Sequence, residues 1–321
     1  MTPCCDHASM DHSLLIFSPS GVLRDRAGLR RAVKHLKALG FEPQVDEAAQ
    51  LRQQRFAGTD EERLAALHRV ADSGAAVALA ARGGYGMSRL LDRLDWERLA
   101  ASVQRGTRWV GMSDLTALQL GLLAHARGCG VTWQGPLAVA DFGRAAAEGG
   151  VDDITEACFV EAMHGELEAI GFRETGAPRG TQAFDGLEAE GLLWGGNLTM
   201  VCSLLGTPHW PRIKGGILFL EEVSEHPYRV ERMLLQLAQA GVLTAQKAVL
   251  IGDCGGWKPA PHDGGYRLKD AIAAAQVATP TPILQGLPFG HTPATKVCLP
   301  VGAKAQLVVQ GRDALLAWGH V

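Results

Sequence analysis

Four short stretches of this chain hold residue types that could together perform acyl transfer. Gly111-Met112-Ser113-Asp114 follows the apolar segment Arg108-Trp109-Val110 and precedes a helical pattern over residues 115–126. A serine at such a strand-to-helix turn exposes its Oγ near a helix N-terminus, where backbone N–H groups can face an oxyanion. The second glycine of an α/β-hydrolase elbow is replaced by Leu115, and taken alone a serine before an aspartate reads as a helix cap. Leu218-Phe219-Leu220-Glu221-Glu222 ends an apolar strand with two carboxylates. Neighbouring strand residues point to opposite faces, so one of the pair can orient a histidine in a given pocket. Glu222 reads instead as the start of a solvated loop. His291 lies in the constrained loop from Gly286 to Pro293, with a proline on either side, and cannot be buried on a helix face. Arg82-Gly83-Gly84-Tyr85-Gly86 closes the apolar run 75–81, and glycines there allow close approach of the backbone to a ligand. That loop is neither Gly-x-Gly-x-x-Gly nor a P-loop. It reads as an oxyanion donor or as a tight turn packing strand to helix.

These groups need a scaffold, and the hydrophobic pattern supplies one. Residues 14–17 form a short apolar run ended by Ser18-Pro19-Ser20-Gly21, and a helix follows with Leu29, Ala32, Val33 and Leu36 on one face. Thr59 and Glu62 make a capping box for the next helix. The run 75–81 has the continuous apolar character of a buried parallel strand. Strands and helices alternating at this length predict a flavodoxin-like, doubly wound α/β domain over residues 13–150. Residues 151–190 read as a connecting segment with one helix at 155–163. Residues 191–321 read as a smaller mixed α/β domain, with strands at 192–194, 216–220, 248–252, 297–299 and 305–309 and helices at 198–205, 228–240 and 269–277. The serine comes from the first domain and the glutamate and histidine from the second, so the site is expected at their junction.

Composition narrows the class. The chain has 321 residues, 47% hydrophobic and 20% charged, enough for a core in each domain. A net charge of −3 gives no electrostatic basis for a nucleic acid partner or an anionic membrane surface. No apolar segment approaches the roughly 20 residues that span a bilayer. Residues 1–12 lack the pattern of a signal peptide and read as a disordered tail. The tail holds Cys4, Cys5, His7 and His12, but without a second ligand pair it is not read as a metal site. Seven cysteines, mostly scattered in apolar segments, suit buried thiols in a reducing compartment.

The motifs become specific in combination. Arg82-Gly83-Gly84-Tyr85-Gly86, then residues 111–118, Gly195-Gly196-Asn197-Leu198, Leu220-Glu221-Glu222 with Pro227-Tyr228-Arg229, and Gly290-His291-Thr292 occur in that order. Together they resemble the LD-carboxypeptidase family of serine peptidases, which includes muramoyltetrapeptide carboxypeptidase and the microcin C self-immunity hydrolases. The resemblance implies Ser113 as nucleophile, Glu221 as orienting carboxylate and His291 as base. It implies an oxyanion hole from the backbone N–H groups of Asp114 and Gly84, with Gly83 beside the substrate. Met112 stands where relatives often carry an aromatic residue. The implied reaction needs no metal and no cofactor. It releases terminal D-alanine from a muropeptide, cutting the bond to the L-centre of meso-diaminopimelate, in the cytoplasm during peptidoglycan recycling. The substrate's free carboxylate needs a cation or helix N-terminus, for which Arg82 and the helix starting at Asn197 are the candidates. A homodimer is implied by the resemblance alone. Two other readings stand beside this one: hydrolysis of aminoacyl or peptidyl nucleotide antibiotics by the same triad, and a non-catalytic nucleotide- or sugar-binding module using the loop at Arg82.

Overall fold

A computed structural model describes residues 11–177, 182–292 and 295–321. The first half builds β1 (Ser13–Phe17), α1 (Arg26–Ala38), β2 (Glu42–Val45), α2 (Asp60–Asp72), β3 (Val77–Ala80), α3 (Trp96–Gln104), β4 (Arg108–Gly111), α4 (Thr116–His125) and β5 (Thr132–Gln134). Local chemistry sets the helix starts. The Asp25 carboxylate accepts from Gly28 N–H ahead of α1, and the capping box of Thr59 and Glu62 opens α2 as the sequence predicts. Every residue of β3 is buried, which accounts for its unbroken apolar run.

Five of these strands pair in parallel in the order β2-β1-β3-β4-β5, the doubly wound order expected from the alternating pattern. A sixth strand joins this sheet from far along the chain. The sequence places a strand at 297–299 in the second unit. The structure instead forms β11 (Leu299–Val301), antiparallel to β5, at the edge of the first sheet. This pairing is non-local, and no periodicity reports it.

The remaining elements are α5 (Asp153–His164), β6 (Ala169–Arg173), β7 (Glu188–Asn197), α6 (Leu198–Leu204), β8 (Ile217–Glu221), α7 (Pro227–Gln239), β9 (Ala248–Ile251), α8 (Leu268–Val277), β10 (Ile283–Gln285), β12 (Lys304–Gln310) and β13 (Asp313–Ala317). They form a seven-stranded sheet in the order β10-β9-β8-β7-β12-β13-β6. The segment 151–190, read as a connection with one helix, also supplies β6 and the first residues of β7. β7 is the hinge of this sheet. Its first half pairs antiparallel with β12, and its buried second half pairs parallel with β8. Among the described residues no helix is long and apolar enough to cross a membrane.

Candidate active site

The turn after β4 holds Ser113 with φ of +64°, a left-handed conformation rare outside glycine. Such strain costs about 1–3 kcal/mol and persists where the surroundings over-determine it. The surroundings here are the glycine loop. A Cβ added to Gly83 would lie 2.6 Å from both Cβ and Oγ of Ser113 and 3.9 Å from the backbone nitrogen of Asp114. Only a glycine permits this approach.

Two buried charged side chains fasten the loop. Asp114 Oδ2 accepts from Met87 N–H at 2.8 Å. Burial raises its carboxyl above the ordinary range, against the pull of Ser20, the Met87 N–H and the Arg63 cation. Arg63 is fully buried, donates to Pro19 O at 2.8 Å and Gly86 O at 3.0 Å, and pairs with Asp60. Sequence reading misses Arg63, because one arginine on a charged helix carries no signal of burial.

Glu221 ends β8 fully buried, and its Oε2 lies 2.6 Å from His291 Nδ1. Burial lowers the imidazole pKa, but the bond to Glu221 and the charges of Glu221 and Glu222 outweigh it, so His291 sits above its ordinary value. The Lys296 cation works in the opposite direction. The imidazole keeps 21% of its surface exposed, so one edge faces solvent.

The parallel register places Asn197 of β7 opposite Glu221 of β8. Its Nδ2 donates to Glu221 Oε1 at 3.1 Å and to Glu222 Oε1 at 3.0 Å, while Oδ1 caps α6 by accepting from Met200 N–H. Asn197 thus braces the carboxylate pair. Glu222 corrects its own expectation: far from opening a solvated loop, it is buried and accepts from Asn197, Val223 N–H, and the N–H and hydroxyl of Thr199. Arg82 turns inward and donates to Val22 O at 2.7 Å.

One further contact joins the two sheets. Thr116 Oγ1, three residues after Ser113, accepts from Asn197 N–H at 3.1 Å and from Gln134 Nε2 at 2.8 Å. The serine turn and the carboxylate strand are therefore held in one buried hydrogen-bonded network. Met112 and His291 line a common cavity of about 260 Å³. A larger one, about 710 Å³, lies against α8 and touches none of these residues.

Among the described residues no group of three or more His, Cys, Asp or Glu side chains could hold a metal ion. Cys4, Cys5 and His7 fall outside the described residues, while the His12 ring packs against Phe41 and His164.

Two sheets of this topology, with a turn serine and a carboxylate-bound imidazole at their junction, define a class of two-domain mixed α/β proteins. Sequence places the chain within that class. Residues 14–134 match the model of the LD-carboxypeptidase N-terminal domain and residues 190–307 that of the C-terminal domain, and the protein belongs to this family. It is 30% identical to the probable murein peptide carboxypeptidase of Bacillus subtilis, over 92% of this chain and 88% of that one. The crystal structure of muramoyltetrapeptide carboxypeptidase from Oxalobacter formigenes superposes with a TM-score of 0.84 at 38% identity, covering 96% of this chain and 98% of that one. The microcin C7 self immunity protein MccF shares the fold, with a TM-score of 0.81 at 20% identity over 97% of each chain.

Proposed function

We propose that the protein is a serine-type LD-carboxypeptidase that removes terminal D-alanine from murein tetrapeptides. The observation that carries this is the 2.6 Å contact of His291 with buried Glu221, on the cavity that Met112 brings to the serine turn. His291 takes the proton of Ser113 as Oγ bonds to the carbonyl carbon of the last peptide bond. Glu221 holds the Nδ1 proton, which leaves Nε2 as the base and stabilises the imidazolium that forms. The backbone N–H groups of Asp114 and Gly84 receive the oxyanion, each donor contributing about 3–4 kcal/mol. The C–N bond breaks as His291 passes its proton to the leaving amine of D-alanine. Water, deprotonated by the same imidazole, then hydrolyses the ester and restores Ser113.

The substrate reading is supported by relatives named for murein peptides and by the 38% identity to a muramoyltetrapeptide carboxypeptidase. Free thiols, four of them buried, suit a reducing cytoplasm where recycled wall fragments are processed. The resemblance also supports a homodimer. The test is mass spectrometry of the tetrapeptide incubated with wild type and Ser113→Ala. Tripeptide and D-alanine are expected with the wild type alone. An untouched tetrapeptide beside rapid cleavage of an aminoacyl sulfamoyl adenosine would overturn the reading.

A further inference from the structure

A carboxypeptidase must recognise a free carboxylate, and the groups first considered for that task are committed elsewhere. Arg82 donates to Val22 O and does not line the cavity beside His291. The start of α6 is filled by the protein's own groups: Thr199 N–H donates to Glu222 and Met200 N–H to Asn197. Lys296, on the cavity wall beside His291, bonds Asp141 Oδ1 at 2.6 Å, and both residues are buried.

Arg144 differs from all of these. It lines the same cavity as Met112 and His291, is half-buried, and its guanidinium has no hydrogen bond or ion pair among the described residues. Its backbone, in contrast, is pinned. Arg144 N–H donates to Asp141 O at 3.2 Å, and Arg31 Nε donates to the neighbouring Gly143 O at 2.7 Å. A Cβ on Gly143 would lie 2.4 Å from Gly28 O, so the loop sits directly on α1. A fixed base with an uncommitted planar cation suits bidentate recognition of a carboxylate. The cavity around it agrees in size and character. At about 260 Å³ it falls below the roughly 300–1,000 Å³ of sites for larger ligands, and Met112, Leu137 and Ala140 offer apolar surface to a methyl group.

We propose that Arg144 binds the terminal carboxylate of the peptide, seating the last residue in this cavity with its amide bond at Ser113. The assignment rests on the carboxypeptidase reading above and makes Arg144 a specificity-determining residue. Lys296 and Asp141 line the same cavity as an ion pair, so that Arg144 supplies its uncommitted positive charge.

The experiment compares kcat/KM for the tetrapeptide and for its C-terminal carboxamide in wild type, Arg144→Ala and Arg144→Lys, with thermal melts to verify folding. Charge-assisted hydrogen bonds of this kind correspond to a preference of about ten- to hundredfold for the free acid in the wild type. The ratio is expected to fall towards one in Arg144→Ala, chiefly through KM of the free acid, and to be intermediate in Arg144→Lys. A wild-type ratio retained in folded Arg144→Ala would overturn the subsite and leave the carboxypeptidase reading intact. A wild type that cleaves neither peptide would overturn both.

Discussion

Replacing Gly83 by alanine tests how the glycine loop and the serine turn are fitted together. The new methyl carbon would stand 2.6 Å from Ser113 Cβ and Oγ, where ordinary contact begins at 3.4 Å, so 3.4 less 2.6 leaves 0.8 Å to be found. Neither side yields cheaply. Gly83 O accepts from Gly21 N–H, and Ser113 is held at φ +64° in a buried turn. Most of the displacement therefore falls on the Ser113 side chain. A misplacement near 1 Å costs on the order of a hundredfold in rate. Overpacking by one methyl costs about 1–3 kcal/mol, or roughly 2–12 °C in melting temperature. The assay is steady-state release of D-alanine from the tetrapeptide, with differential scanning fluorimetry in parallel. Gly171→Ala in β6 is the control, because its added carbon meets only Ala314 O at 3.9 Å. We expect Gly83→Ala to lose about two orders of magnitude in kcat, with a smaller change in KM, while staying folded. A folded Gly83→Ala with kcat within about threefold of wild type would show that the fit of Gly83 against Ser113 does not set the position of Oγ, since the expected loss is some thirty times larger.

Two other perturbations address the carboxylate pair. The charge of Glu222 helps hold His291 above its ordinary pKa, and His291, as the proposed base, must be neutral to act, so activity is expected to rise as pH climbs through that pKa. Glu222→Gln removes the charge, lowers the His291 pKa and should shift the acid limb of kcat/KM to lower pH; an unmoved or raised limb would contradict this. Asn197→Ala strips donors from two buried carboxylates and a cap from α6, and should cost about 2–4 kcal/mol by urea denaturation together with most of the activity. Unchanged stability would mean that the pair does not depend on Asn197.

The parts legible in the sequence are those set by local pattern. The buried runs of β3, β8 and β9 and the capping box at Thr59 announce themselves within a few residues. Ser113, Glu221 and His291, the proposed catalytic residues, each occupy a distinctive local setting (a strand-to-helix turn, a strand end, a proline-bounded loop), but they point to one site only through the order of the five motifs. The strands left unread are short or half-exposed. β6 and β13 alternate buried and exposed residues in five-residue pieces, and β7 begins with a glutamate-rich stretch that resembles a loop. What joins the pieces is longer in range. Asn197 reaches Glu221 through strand register, Lys296 meets Asp141 across 155 residues, and β11 returns to the first sheet. Burial of Glu222 follows from those pairings and has no local signature.

The most direct test of the proposed serine mechanism is to locate the reacting atom. Wild-type protein is treated with a fluorophosphonate, mapped by peptide mass spectrometry, and assayed for D-alanine release from the tetrapeptide. The same treatment is applied to Ser113→Ala and His291→Ala. A single adduct on Ser113 is expected, and its formation should abolish release in proportion to labelling. No adduct is expected in Ser113→Ala, and labelling is expected to be much slower in His291→Ala. An adduct on another residue, or a fully labelled protein that still releases D-alanine, would contradict Ser113 as the nucleophile.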